Sequence, residues 1–137
     1  MNGISDLSRL LASLSPALSP KTYVFLTRPA AVYGDGGELE PIASFVEREG
    51  LTLIVPKDRA DRAGESYAGE FGLLSLGVHS DLEAVGLTAA IASALSERGI
   101  SANVVAGFYH DHLFVPVSRT GEAMTILRQL AESDQSK

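Results

Sequence analysis

Cysteine is absent, which removes disulfide frameworks, thiolate metal sites and cysteine nucleophiles together. Basic residues are scarce: eleven Lys and Arg face seventeen Asp and Glu, for a net charge of −6. Nucleic-acid binding needs basic clusters to meet phosphates, so no nucleic-acid partner is expected. Long apolar runs are missing too; the longest reach about five or six residues, against the roughly 20 of a membrane-spanning helix. No membrane partner is expected. The chain opens Met-Asn-Gly-Ile-Ser-Asp, with neither a basic start nor a small-residue cleavage site after an apolar core. The expectation is a soluble, cytoplasmic protein. What is present is ordinary: 137 residues, 45% apolar and 20% charged. That length accommodates one domain or two very small ones, and the composition argues against disorder.

Leu7, Leu10, Leu11 and Leu14 share one face of a short helix, with Ser5 as a candidate N-cap. Ser15-Pro16 and Ser19-Pro20 read as a stiff connector that stops it. Tyr23 to Thr27 is β-branched and aromatic and predicts a buried strand. Arg28 to Pro41 reads as a loop. Strands are predicted at Ile42–Arg48 and Leu51–Pro56, with Glu49-Gly50 as a tight turn. Lys57 to Ala63 reads as exposed helical turns. Phe71 to Val78 is a strand. Leu87, Ile91, Ala94, Leu95 and Arg98 form a helical stripe that ends at Gly99. Ile100–Phe108 and His112–Val117 are strands around a His110-Asp111 turn. Thr120 can cap a last helix with Ala123, Met124, Leu127 and Leu130 on its apolar face.

The second half therefore runs strand, helix, strand, strand, helix. That is a ferredoxin-like βαββαβ unit without its final strand, an α+β arrangement with helices on one face of an antiparallel sheet. The halves echo each other: Leu53-Ile54-Val55-Pro56 and Leu113-Phe114-Val115-Pro116 lie 60 positions apart, which suggests two related modules.

Spaced catalytic sets are wanting. His79-Ser80-Asp81 has the residue types of a nucleophilic triad, but consecutive side chains point apart and cannot form the required relay. Gly34-Asp35-Gly36-Gly37 lacks the Lys-Ser/Thr and following helix of a phosphate loop. Lys57, Arg59 and Arg62 are interleaved with Asp58 and Asp61, as on a solvated face. His79, His110, Asp111 and His112 together would suit a divalent metal if they converge. The alternatives are a polar turn that caps its own backbone, or a ligand contact without metal. The stretch Leu76 to Leu87 joins strand to helix, where free backbone N–H groups suit a carboxylate. Gly86 leaves room for a close approach. The same stretch also matches a capping box, Ser80 with Glu83.

Gly86-Leu87, Ile91, Leu95, Gly99-Ile100 and Val104 resemble the helix-and-return pattern of ACT domains. The longer runs Gly77 to Ala90 and Ile100 to Pro116 resemble a family of small bacterial proteins with two ACT-like parts. In that family the C-terminal part is related to the ACT module of the cytosolic arginine sensor of animals. The resemblance covers roughly Tyr23 to Leu130; the small, polar stretch Gly64 to Gly69 marks the boundary between an N-terminal ACT-like half over residues 1–66 and a C-terminal ACT domain over 67–137. It places the loop before the helix at Val78–Val85 and the helix start near Gly86, against the capping-box reading. In the family, ligands sit between that loop and the sheet edge of a neighbouring module. Carried over, this implicates His79, Ser80, Asp81, Gly86 and Leu87, with Asn103 and Val104 on the second strand. Asp81 would pair with an ammonium group. Valine at Gly86 would block entry at little structural cost if that residue had helical dihedrals.

The expectation is a non-catalytic regulatory protein that binds a small molecule, an amino acid, without cofactor or metal. Two other classes compete: a metal-binding protein or metal-dependent enzyme built on His79, His110, Asp111 and His112, and an interaction module without a ligand. The missing strand must be replaced by the N-terminal half or a second chain. Open strand edges tend to pair, so a homodimer is expected.

Overall fold

The structure, a computed structural model, describes residues 6–135, with side chains described as far as 132. Ser5, the expected N-cap, lies outside the described residues. In chain order the elements are α1 (Leu7–Ala12), β1 (Pro16–Arg28), β2 (Ala43–Glu47), β3 (Gly50–Pro56), α2 (Lys57–Arg62), β4 (Ala68–Leu76), α3 (Leu87–Ser96), β5 (Asn103–Ala106), β6 (Asp111–Pro116) and α4 (Thr120–Gln135). Short 3-10 turns stand at Gly37–Leu39 and Val117–Arg119. The chain divides into two compact units that are not two consecutive lengths of sequence: one is Pro20–Phe71, the other joins the chain up to Ser19 with Gly72 onward.

In the smaller unit the strand order is β2-β3-β1, antiparallel throughout, with Tyr23 opposite Pro56 and Glu47 opposite Gly50. The turn between β2 and β3 therefore has Arg48 and Glu49 at its tip, one residue earlier than the expected Glu49-Gly50. Val24 and Leu26 of β1 meet Leu51, Leu53 and Val55 of β3 on one face, with Leu39 and Ala60 over them. Alternation along both strands produces this face. The helix at Lys57–Arg62 is amphipathic rather than wholly solvated, since Ala60 is buried.

In the larger unit the order is β4-β6-β5. Leu74 and Leu76 of β4 and Leu113 and Val115 of β6 face α1, α3 and α4. Those helices contribute Leu10, Leu11, Leu87, Ile91, Leu95, Ala123, Ile126 and Leu127 to the same core. The repeated Leu-x-Val-Pro thus has one role in both units: two inward side chains at the end of a strand, followed by a helical turn. At the end of α3, Gly99 takes φ +69° and Ile100 N–H donates to Leu95 O at 3.0 Å, which closes the helix. The following strand accordingly starts at Asn103, later than the expected Ile100.

Two expectations are corrected. The helix N-cap is Asp6, whose side chain accepts from Arg9 N–H at 3.1 Å. The Ser-Pro pairs are not a connector; Pro16 and Pro20 lie within β1. Both precede Tyr23, where pairing with β3 begins, so one side of the strand has no ladder and a missing N–H is tolerated. The start of β1 fills the place of the absent sixth strand. It lies beside β4, and just before it Ser15 O and Leu14 O accept from Gly77 and Val78 N–H at 2.9 and 3.3 Å. The N-terminal segment of the same chain, not a second chain, completes the module.

Candidate functional site

Beyond Leu76, Val78 is buried and the chain enters an irregular loop to Gly86. The capping box does not form. Ser80, the buried polar residue here, donates from Oγ to Asp111 Oδ2 at 3.1 Å. Asp81 Oδ1 accepts from Glu83 N–H at 3.1 Å, and Asp81 O accepts from Ala84 N–H at 2.9 Å. These two bonds make one turn of loop, and the helix waits until Leu87. Its N-cap is Gly86, with φ +100° and no side-chain cap. A left-handed φ is costly for residues other than glycine. Valine at Gly86 would be strained, and a Cβ there would sit 3.2 Å from Leu7 Cδ2. The helical dihedrals that would have made it a neutral probe are not present.

The β5–β6 turn is fastened to this loop. Gly107 N–H donates to His110 O at 2.9 Å. His110 Nδ1 lies 3.2 Å from Val78 O, which makes Nδ1 the protonated nitrogen, since a carbonyl only accepts. Together with Ser80–Asp111, this brings His79, Ser80 and Asp81 to the same end of the sheet as His110 and Asp111. Leu87 has its side chain in the core and offers a ligand only its backbone N–H. Asn103 and Val104 are further away: Ala106 is the residue opposite Asp111, while Asn103 pairs with Phe114 and Val104 with Leu113.

The histidines do not converge on a metal. His79 and His110 have ring centroids 6.4 Å apart, while His112 turns to Ser75, Nδ1 to Oγ 2.7 Å. Among the described residues no three His, Asp, Glu or Cys groups assemble as a ligand set. Burial holds the His112 imidazole below its ordinary pKa; the charge of His110 adds to the effect and Asp111 opposes it.

Phe108 and Tyr109, at the tip of the turn, were not singled out from sequence. They are 64% and 62% exposed. Their rings stack edge-on at 5.0 Å, and Tyr109 lies 5.4 Å from the His79 ring. The available signal was two adjacent aromatics in a turn, where no core face exists to receive them.

One ACT-domain family model matches residues 2–72 and a second matches 70–129. This chain belongs to the ACT-domain family. A Vibrio cholerae protein of unknown function is 49% identical, with 91% of this chain and 95% of that one covered at a TM-score of 0.83. An Agrobacterium tumefaciens protein is 20% identical over 86% of this chain and 89% of its own, TM-score 0.69. The regulatory subunit of aspartate kinase from Thermus flavus is 13% identical over 86% and 98%, TM-score 0.63. The last two likenesses are of fold. A search of curated proteins finds no significant match. The loop of residues 77–86 is thus the strand-to-helix connection of an ACT module.

Proposed function

We propose that this ACT protein is a non-catalytic regulatory protein that binds an amino acid at the loop from His79 to Gly86. The tandem ACT modules carry the reading. The shared fold with an aspartate kinase regulatory subunit supports it. Asp81 keeps one carboxylate oxygen for an ammonium group, because only Oδ1 is engaged by Glu83 N–H. The uncapped start of α3, at Gly86 and Leu87, offers N–H donors to a carboxylate. His79 and Ser80 line the same turn, and Asn103 and Val104 stand further along the sheet.

A thermal-shift screen over the twenty amino acids tests this. A ligand at 100 times its Kd adds about 2.7 kcal/mol of stability. Asp81→Ala removes a charge-assisted contact of roughly 1.5–3 kcal/mol and weakens binding about ten- to a hundredfold. No shift with any amino acid sinks the reading, and a ligand that Asp81→Ala binds as well as wild type moves the site elsewhere.

A second reading, an interaction module, is favoured by β2. It is an edge strand with Phe45 and Val46 exposed and Ile42 exposed beside it, and such edges invite pairing. The homodimer belongs to this reading. Sedimentation at high micromolar concentration is expected to show it, and monomer alone would count against it.

A further inference from the structure

From the ring geometry of the β5–β6 turn we infer that Tyr109 determines which amino acids the loop accepts, and that the ligand it selects is aromatic. The inference rests on the ligand-binding reading above and adds a side-chain class to it.

Tyr109 is held beside the loop without being buried by it. The turn is pinned on both sides of the tip, by Gly107 N–H to His110 O and by His110 Nδ1 to Val78 O. Asp111, the next residue, is tied to Ser80. The tip therefore cannot swing independently of the loop. Tyr109 touches the His79 ring at a tilt of 53° and the His110 ring at 6.4 Å, and Phe108 backs it at 5.0 Å. The four rings form one cluster, each tilted against its neighbours, with most of Tyr109 open to solvent. Adjoining exposed aromatics, unlike scattered single ones, mark a surface for a ligand. A rigid ring on a pinned turn loses little entropy when a ligand stacks on it.

The exposed Tyr109 ring favours an aromatic ligand over the other classes. An aliphatic side chain gains area but no edge-to-face complementarity. A cation would gain from the ring faces, but none of the four rings brings a carboxylate to pair with it. Of the two nearest carboxylates, Asp81 already serves the ligand's own ammonium group in the reading above, and Asp111 is tied to Ser80.

The chain contains no tryptophan, so indole emission excited at the red edge of its absorption comes from the ligand alone, and binding is read as a rise in its anisotropy. The probes are L-tryptophan and L-phenylalanine, with L-leucine and L-arginine as comparisons, read by fluorescence and calorimetry. Wild type is expected to bind the aromatic pair more tightly than leucine or arginine. Tyr109→Ala weakens the aromatic pair roughly three- to tenfold and leaves leucine unchanged, and Tyr109→Phe restores the preference. The unliganded melting temperature of each variant should match wild type, because the side chain is exposed. Aromatic binding that Tyr109→Ala leaves untouched overturns the inference. A leucine or arginine ligand without an aromatic one also overturns it. Loss of that ligand in Asp81→Ala then shows that the amino-acid reading survives. Failure of all twenty amino acids brings down both.

Discussion

A chain that begins at Pro20 will lose the larger unit. The removed segment supplies Leu10, Leu11 and Leu14, all buried in the core beneath α3 and α4. Three buried leucines account for about 4.5–9 kcal/mol of transfer free energy, at roughly 1.5–3 kcal/mol each. That is comparable to the ~5–15 kcal/mol by which a whole domain is stable. The deletion also removes the start of β1, and with it the carbonyls of Leu14 and Ser15, which take the N–H groups of Val78 and Gly77 just past β4. Circular dichroism and amide exchange across Gly72 to Leu130 should show the loss. A shortened chain that melts cooperatively at the wild-type midpoint would refute the idea that the segment completes the module.

Replacing Leu95 by alanine is the second large effect. Leu95 has no exposed surface and lies in α3 against the same core. Deleting most of a fully buried leucine costs about 2–5 kcal/mol, the transfer loss plus the cavity left behind. Leu82, 62% exposed on the loop before α3, is the matched control; its replacement should stay within about 0.5 kcal/mol. Denaturant unfolding with an unchanged slope separates the two. Equal midpoints for both variants would mean that α3 is not packed as described.

The leucine stripe of α1, the alternating strands and the helical run ending at Gly99 were legible because each is a local pattern with a local cause. The repeated Leu-x-Val-Pro was legible as a repeat, and its meaning follows from where the inward side chains fall. What failed to show was set by distant partners. Pro16 and Pro20 look like breakers until the unpaired side of β1 is known. Ser80 looks like a helix cap until Asp111, 31 residues on, takes its hydroxyl. Gly86 reads as empty space, yet its role is a left-handed turn, with Leu7 on the side where a Cβ would point. The resemblance named the loop; the aromatic tip opposite it belongs to another hairpin, and no spacing rule connects the two.

The early residues that complete the larger unit have a consequence for synthesis. They leave the ribosome before the surfaces they pack against on β4, α3 and α4 are made. Until then the leucine face of α1 has no native partner inside its own unit. Closing so long a stretch of chain is slow relative to local pairing. A newly made chain therefore carries an exposed apolar helix until those elements emerge, and this is the segment on which early association with chaperones, or with other unfinished copies, would act.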